Sequence, residues 1–268
     1  INWGRLAPQI AYYVSAYCDM VKSGAVKMGE KINICVPTGN FGNILAAYIA
    51  KRMGLPVNKF ICASNRNNVL TDFFKKNGVY DKNRDFYTTT SPSMDILISS
   101  NLERLLFFAS DFDDKLVAEL MQRLTTEGSY QAPEAVFAKI AADFDAGCCD
   151  DKQTAETIRA LWENEHYLSD THTAVAVRVY EDYRARTGDQ TPTVIASTAS
   201  PFKFCRSVIE ALGGTLEKDD VSQLAVLTDL TGVPAPAPLA ALADKQPRFD
   251  RVVDKSEILS TVDLLKDL

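Results

Sequence analysis

Along this chain the spacing of apolar residues changes character twice. From residue 6 to about 90, helical and strand periods alternate. Ile10, Tyr13, Val14, Ala16, Tyr17, Met20 and Val21 recur at helical spacing and predict a helix over 6–24. The run Ile32-Asn33-Ile34-Cys35-Val36 reads as a buried strand over 31–36. A helix over 43–53, a strand over 58–63, a helix over 68–76 and a strand over 86–88 are predicted to follow. Gly54-Leu55-Pro56 stops the second helix and starts the next strand. Such alternation implies right-handed βαβ units and a parallel sheet, hence an α/β fold.

Residues 95 to about 187 read as mostly helical. Leu102, Leu105, Leu106 and Phe107 mark one stretch, and Leu116, Leu120 and Leu124 another. Asp150 or Asp151 is placed to cap a helix carrying Thr157, Ile158, Leu161 and Trp162, and a further helix should follow Asp170. Alternation returns with a strand over 192–196, the polar turn Ser197-Thr198-Ala199-Ser200-Pro201 and a helix through Phe202 to Leu212. Pro234 to Pro238 reads as a linker or surface turn, and a last helix starts near Ser256. The expected organisation is an α/β domain built from 1–94 and 166–215, a helical insertion over 95–165, and a helical tail over 216–268.

The segment Thr38-Gly39-Asn40-Phe41-Gly42-Asn43 joins the first strand to its helix. The first amides of a helix lack partners within it, and its dipole adds roughly half a positive charge there. Two glycines allow close backbone approach, so the turn suits a phosphate. A ligand-free strand–turn–helix connection is the alternative reading. The spacing is G-x-x-G rather than G-x-G-x-x-G, and the next strand ends at Ser64-Asn65-Arg66 without a carboxylate, which excludes a dinucleotide site. No Gly-Lys-Ser/Thr follows, which excludes a P-loop. One phosphate on a small cofactor or substrate is what fits. In open α/β sheets ligands gather beyond the carboxyl ends of the strands. That rule brings together Thr38–Asn43, Ser64–Asn68, Thr88–Met94 and Ser197–Pro201, all rich in Ser, Thr and Asn and nearly free of acid.

Composition narrows the partners. The 268 residues carry a net charge of −6, which argues against nucleic acid or an anionic membrane. No apolar run approaches the ~20 residues a bilayer crossing needs, and no signal-peptide pattern opens the chain. Six cysteines at 18, 35, 62, 148, 149 and 205 lack zinc spacing, and His166 and His172 are the only histidines, so no metal site is expected. These features point to the cytosol. The chain starts at Ile1 in mid-pattern, which suggests a piece of something longer.

Seven segments, in order, resemble the threonine synthase family of fold-type II pyridoxal-phosphate enzymes. They are Ile1-Asn2-Trp3-Gly4-Arg5-Leu6, Pro37-Thr38-Gly39-Asn40-Phe41-Gly42-Asn43, Ala50-Lys51-Arg52-Met53-Gly54-Leu55-Pro56, Ser91-Pro92-Ser93-Met94-Asp95-Ile96, Ser99-Ser100-Asn101-Leu102-Glu103-Arg104, Asp170-Thr171-His172-Thr173-Ala174-Val175 and Ser197-Thr198-Ala199-Ser200-Pro201-Phe202-Lys203-Phe204. They match the later part of the family's sequence. The resemblance implies a three-layer parallel-sheet domain of the tryptophan synthase β-like type with a helical insertion. It implies pyridoxal 5′-phosphate as cofactor, with Gly39, Asn40, Phe41, Gly42 and Asn43 around its phosphate and Thr198 on its pyridine nitrogen. Where family members often have Thr-Ala-His-Pro, this chain has Thr198-Ala199-Ser200-Pro201, which leaves Ser200 without an implied role. Asn2 and Arg5 read either as contacts to the substrate or its phosphate, or, for the arginine, as part of a surface ion pair. Asp95 and Glu103-Arg104 read as residues that cap and brace helices rather than catalyse, and His172 as a structural residue near the active edge.

The family's Schiff-base lysine sits in a Phe-Lys-Asp context that this sequence lacks, so that lysine is expected upstream of Ile1 and no catalytic residue is assigned here. The implied reaction of the whole enzyme converts O-phospho-L-homoserine and water to L-threonine and phosphate, and this chain alone is expected to be inactive. Its implied partners are a phosphorylated amino acid and the missing N-terminal part of the same protein. The alternatives are a phospho-lyase or dehydratase on the same fold, or a non-catalytic module that binds a small phosphate.

Overall fold

The computed structural model describes residues 2–245 and 252–264. Ile1, which opens the first family-like segment, and residues 246–251 and 265–268 of the expected tail lie outside them. In chain order the elements are helix Trp3–Lys22 (α1), strand Ile32–Pro37 (β1), helix Gly42–Arg52 (α2), strand Val57–Ser64 (β2), helix Val69–Lys75 (α3) and strand Val79–Asp81 (β3). Helices Leu102–Ala109 (α4) and Asp114–Thr126 (α5), strand Ser129–Gln131 (β4), helix Glu134–Asp143 (α6) and strand Phe144–Cys148 (β5) come next. Helices Asp151–Glu165 (α7) and Thr171–Thr187 (α8), strand Thr193–Ile195 (β6) and helices Cys205–Ala211 (α9) and Ser222–Thr231 (α10) complete the ordered body. Short helices Ala237–Ala240 and Ile258–Leu264 belong to the tail.

The sheet runs β5-β2-β1-β6 with every pair parallel. Successive side chains of a strand face opposite ways, and here both faces are covered. Ile32, Ile34, Val36, Phe60 and Cys62 point into a core shared with α1, α2, α4, α5 and α6. Cys35, Ile61 and Ala63 point the other way, onto Val175, Ala176, Val179 and Tyr183 of α8. Three layers result, and the alternating apolar pattern is the reason. On the first face Phe60 and Phe144 pack at 5.0 Å between ring centres, and Phe74 stacks on Phe144 at 5.3 Å. The polar Asn33 within β1 is fully buried, and both ends of its amide have partners. It donates to Asp189 at 2.8 Å and accepts from the Asn58 side chain at 3.0 Å and the Lys59 amide at 3.1 Å.

Two sequence expectations need correction. The strand expected over 86–88 is absent; residues 86–88 are irregular, and the strand lies at Val79–Asp81. It pairs antiparallel with β4 in a separate two-stranded sheet, where Tyr80 stacks on Tyr130 at 5.3 Å. The stretch read as helical also hides β5, a member of the main sheet, so residues 144–148 belong with the α/β layers. Its pattern misleads because Asp145 sits in a strand, held by Lys75 at 2.6 Å and Arg186 at 2.8 Å. Gly147 is needed there: a Cβ would lie 2.8 Å from Val179 of the crossing helix α8. Of the two candidate caps for α7, Asp150 is the one used, in a reciprocal capping box with Gln153.

Candidate functional site

The turn from β1 into α2 is shaped by Phe41. Its side chain is 1% exposed and packs against Phe74 and Phe144, while its backbone takes the left-handed region at φ 62°. That conformation is uncommon for a bulky residue and is held by the surrounding core. The first bond of α2 runs from the Leu45 amide to the Phe41 carbonyl at 3.1 Å, so the amides of Gly42, Asn43 and Ile44 have no acceptor inside the helix. No side chain caps this helix, and its first turn carries no acid. The loop carbonyls are occupied elsewhere. Gly39 accepts from Ser99 Oγ at 2.8 Å, and Asn40 accepts from the Asn101 amide at 3.2 Å and its Nδ2 at 2.6 Å. Gly39 lies against the Ser93 backbone. The result is a set of forward-facing donors at a helix start, an arrangement that attracts an anion.

Across the sheet edge, the turn after β6 brings Thr198 to the same place. Asn43 and Thr198 line one cleft of about 330 Å³ with Tyr12, Tyr13, Ala16, Val194, Ala196 and Ser197. The Tyr13 hydroxyl donates to Asn43 Oδ1, tying α1 to the start of α2. Burial pushes the Tyr13 phenol well above its ordinary pKa, with the Cys35 thiol adding to the effect, so it stays a donor at neutral pH. Periodicity identified Tyr13 as a core residue; nothing in the sequence marked its hydroxyl as reaching Asn43.

The four polar loops expected at the carboxyl edge do converge. Asp95 is the knot of the second and third. Its carboxylate accepts from Asn65 Nδ2 at 2.8 Å, Asn67 Nδ2 at 2.8 Å, the Thr89 amide at 2.9 Å and Thr89 Oγ1 at 2.7 Å. It braces loops rather than capping a helix. His172 is 3% exposed at the start of α8: its Nε2 accepts from the Ser93 amide at 3.2 Å and its Nδ1 lies 3.2 Å from Asp170 Oδ1. Asn2 caps α1, accepting from the Arg5 amide at 3.0 Å. Asn2 and Arg5 are exposed there and do not line the cleft of Asn43 and Thr198. Among the described residues no group of three or more His, Cys, Asp or Glu is placed to hold a metal, and no helix is long and apolar enough to cross a membrane.

Comparison with known proteins gives this edge a context. Residues 173–262 match the family model "Threonine synthase, C-terminal". Human threonine synthase-like 1 is 44% identical over 237 residues, covering 87% of this chain and 31% of that protein. Threonine synthase of Saccharomyces cerevisiae is 38% identical over 237 residues, covering 82% of this chain and 45% of that protein. The chain belongs to the threonine synthase family. A crystal structure of pyridoxal-phosphate-bound threonine synthase from Brucella melitensis superposes with a TM-score of 0.78 at 36% identity, covering 93% of this chain and 48% of that one. The parallel three-layer architecture is therefore that of the fold-type II enzymes to which the family belongs. The chain spans from about a third to about half of the length of the relatives it matches.

Proposed function

We propose that this chain supplies the phosphate-holding part of a pyridoxal 5′-phosphate site. The whole protein, working in the cytoplasm, would then convert O-phospho-L-homoserine and water to L-threonine and phosphate. The observation that carries the reading is the placement of an uncapped, acid-free helix start and the Thr198 hydroxyl in one cleft. The donor set suits the cofactor. Amides of Gly39 to Asn43 would hold its phosphate dianion, and Thr198 Oγ1, which makes no hydrogen bond among the described residues, would meet the ring nitrogen. When bound, the cofactor supplies an electron sink for carbanions, a milder one beside a hydroxyl than beside a carboxylate.

The chain's own residues orient and exclude. Tyr13 fixes Asn43, Phe41 anchors the loop in the core, and Ser99 and Asn101 turn the loop carbonyls away from the anion. None of the residues lining the cleft is a lysine. The covalent attachment and the proton shuttle are therefore assigned to residues outside this cleft, and the chain alone is read as binding the cofactor reversibly and without turnover.

The test is a calorimetric titration of pyridoxal 5′-phosphate into the purified chain, followed by borohydride treatment and peptide mapping. Saturable binding with no lysine modified at a defined position is the expected result. Absence of binding overturns the cofactor reading, and stable attachment at one lysine overturns the reversible-binding assignment. For the reaction, the whole protein supplied with O-phospho-L-homoserine should release threonine; release of an α-keto acid and ammonia would make it a phospho-lyase.

A further inference from the structure

Asp170 is the N-cap residue of α8 and lies behind the cleft without lining it. Its side chain is fully buried, and so is almost all of His172. One carboxylate oxygen accepts from the His172 amide at 2.8 Å and the Thr173 amide at 3.3 Å, and lies 3.2 Å from His172 Nδ1; the other accepts from the Thr173 hydroxyl. From there two lines of contact leave. Through His172, Nε2 accepts from the Ser93 amide, and Ser93 in turn presses its carbonyl against Gly39 at the head of the phosphate loop. Through Thr173, the hydroxyls of Thr173 and Ser197 lie 3.4 Å apart, and Ser197 is the residue before Thr198. Tyr167 also donates to Ser197 Oγ at 3.3 Å.

We propose that Asp170 and His172 are positioning residues that set the distance between the phosphate loop and the Thr198 turn. The inference rests on the cofactor reading above and adds to it the parts that hold the cradle open to the right width. The chemistry explains why a histidine stands here. With Asp170 on Nδ1, the neutral ring carries its proton there and leaves Nε2 as the acceptor Ser93 needs. The ring also packs on Phe204, 4.7 Å between centres, which fixes its plane. An apolar replacement would leave the Ser93 amide and an Asp170 oxygen short of partners in a buried place. The loop would then shift, because Gly39 has the Ser93 backbone as its wall.

The two lines separate the arms of the test. Inorganic phosphate reports the loop alone, and pyridoxal 5′-phosphate reports the loop together with the Thr198 turn; both affinities are measured by calorimetry on the full chain at a temperature far below its melting point. His172→Phe keeps the ring packing and removes both hydrogen bonds, and it should weaken both ligands by about tenfold. His172→Gln places an amide oxygen near Nε2 and should recover most of that loss. Thr173→Val keeps the side-chain shape but removes both the bond to Asp170 and the line to Ser197; it should weaken pyridoxal 5′-phosphate about fivefold and inorganic phosphate clearly less. A merely structural role would lower the melting temperature of these variants without this split. Unchanged affinities in folded His172→Phe and Thr173→Val overturn the positioning role while the wild-type binding leaves the cofactor reading standing. A wild-type chain that binds neither ligand overturns both. Should His172→Phe fail to fold, Thr173→Val alone decides.

Discussion

Gly39 and Ser93 are packed so closely that a methyl group on Gly39 would lie 2.7 Å from the Ser93 carbonyl oxygen and 3.2 Å from the Met94 Cα. Both neighbours are backbone, so neither can swing aside. Gly39→Ala should therefore displace the loop. We expect phosphate affinity to fall by at least about tenfold and stability to fall by about 1–3 kcal/mol, the usual range for overpacking. Calorimetric titration and urea melts of the variant measure the two effects.

Tyr13→Phe deletes one hydroxyl and little volume. The lost bond to Asn43 should cost about 1 kcal/mol in a urea melt. Ligand affinity should drop as well, because Asn43 is the loop residue that this bond orients. A variant with unchanged stability and unchanged affinity would show that the contact does nothing.

Acid should loosen the Asp170 junction. Burial pushes this carboxyl up, but hydrogen bonds from His172 and Thr173 outweigh burial and hold it below its ordinary value. A carboxyl with a lowered folded pKa contributes stability above its unfolded value of about 3.9, and loses it as pH falls through the folded value. The stability gap between the wild-type chain and Asp170→Asn should thus be constant from pH 7 to about 5 and shrink below about 4. Urea melts at stepped pH values give the curve, and a gap that widens in acid would contradict the assignment.

Thiol chemistry offers a check on the core. Cys35 and Cys62 lie fully buried in adjacent strands, and burial pushes the Cys62 thiol up to about 12 and Cys35 higher still. Cys149 and Cys205 are buried too, while Cys18 and Cys148 are exposed. A thiol reagent at neutral pH should label Cys18 and Cys148 in the native chain and all six cysteines in urea. Rapid labelling of Cys35 without denaturant would mean that β1 is not at the centre of the sheet.

Much of this architecture is written in short-range patterns. β1, α2, β2 and α3 announce themselves because apolar runs, Gly54-Leu55-Pro56 and a single period suffice to define them. β5 does not, because its five residues include Asp145 and Gly147, each placed by a distant partner: Arg186 on one side, Val179 of α8 on the other. The strand expected over 86–88 fails for the converse reason. Its Tyr87 backbone serves a loop contact instead, the amide donating to Asn67 Oδ1 and the carbonyl accepting from Asn67 Nδ2. At the site, the glycines and the convergence of the polar loops were readable from the sequence, and they carry the proposed phosphate edge. Tyr13 and the Asp170 junction were not, since Tyr13 and Asn43 are thirty positions apart, and Thr173 and Ser197 twenty-four.

Phe41 gives the loop its last property. The residue in the middle of the turn proposed to hold the phosphate is also a brick of the aromatic core, wedged against Phe74 and Phe144. On that proposal, recognition and folding are written into the same side chain. This loop cannot be transplanted to another scaffold as a cassette, nor drift towards a new ligand by surface changes alone. Any lineage that alters what the turn holds must first renegotiate the packing beneath it.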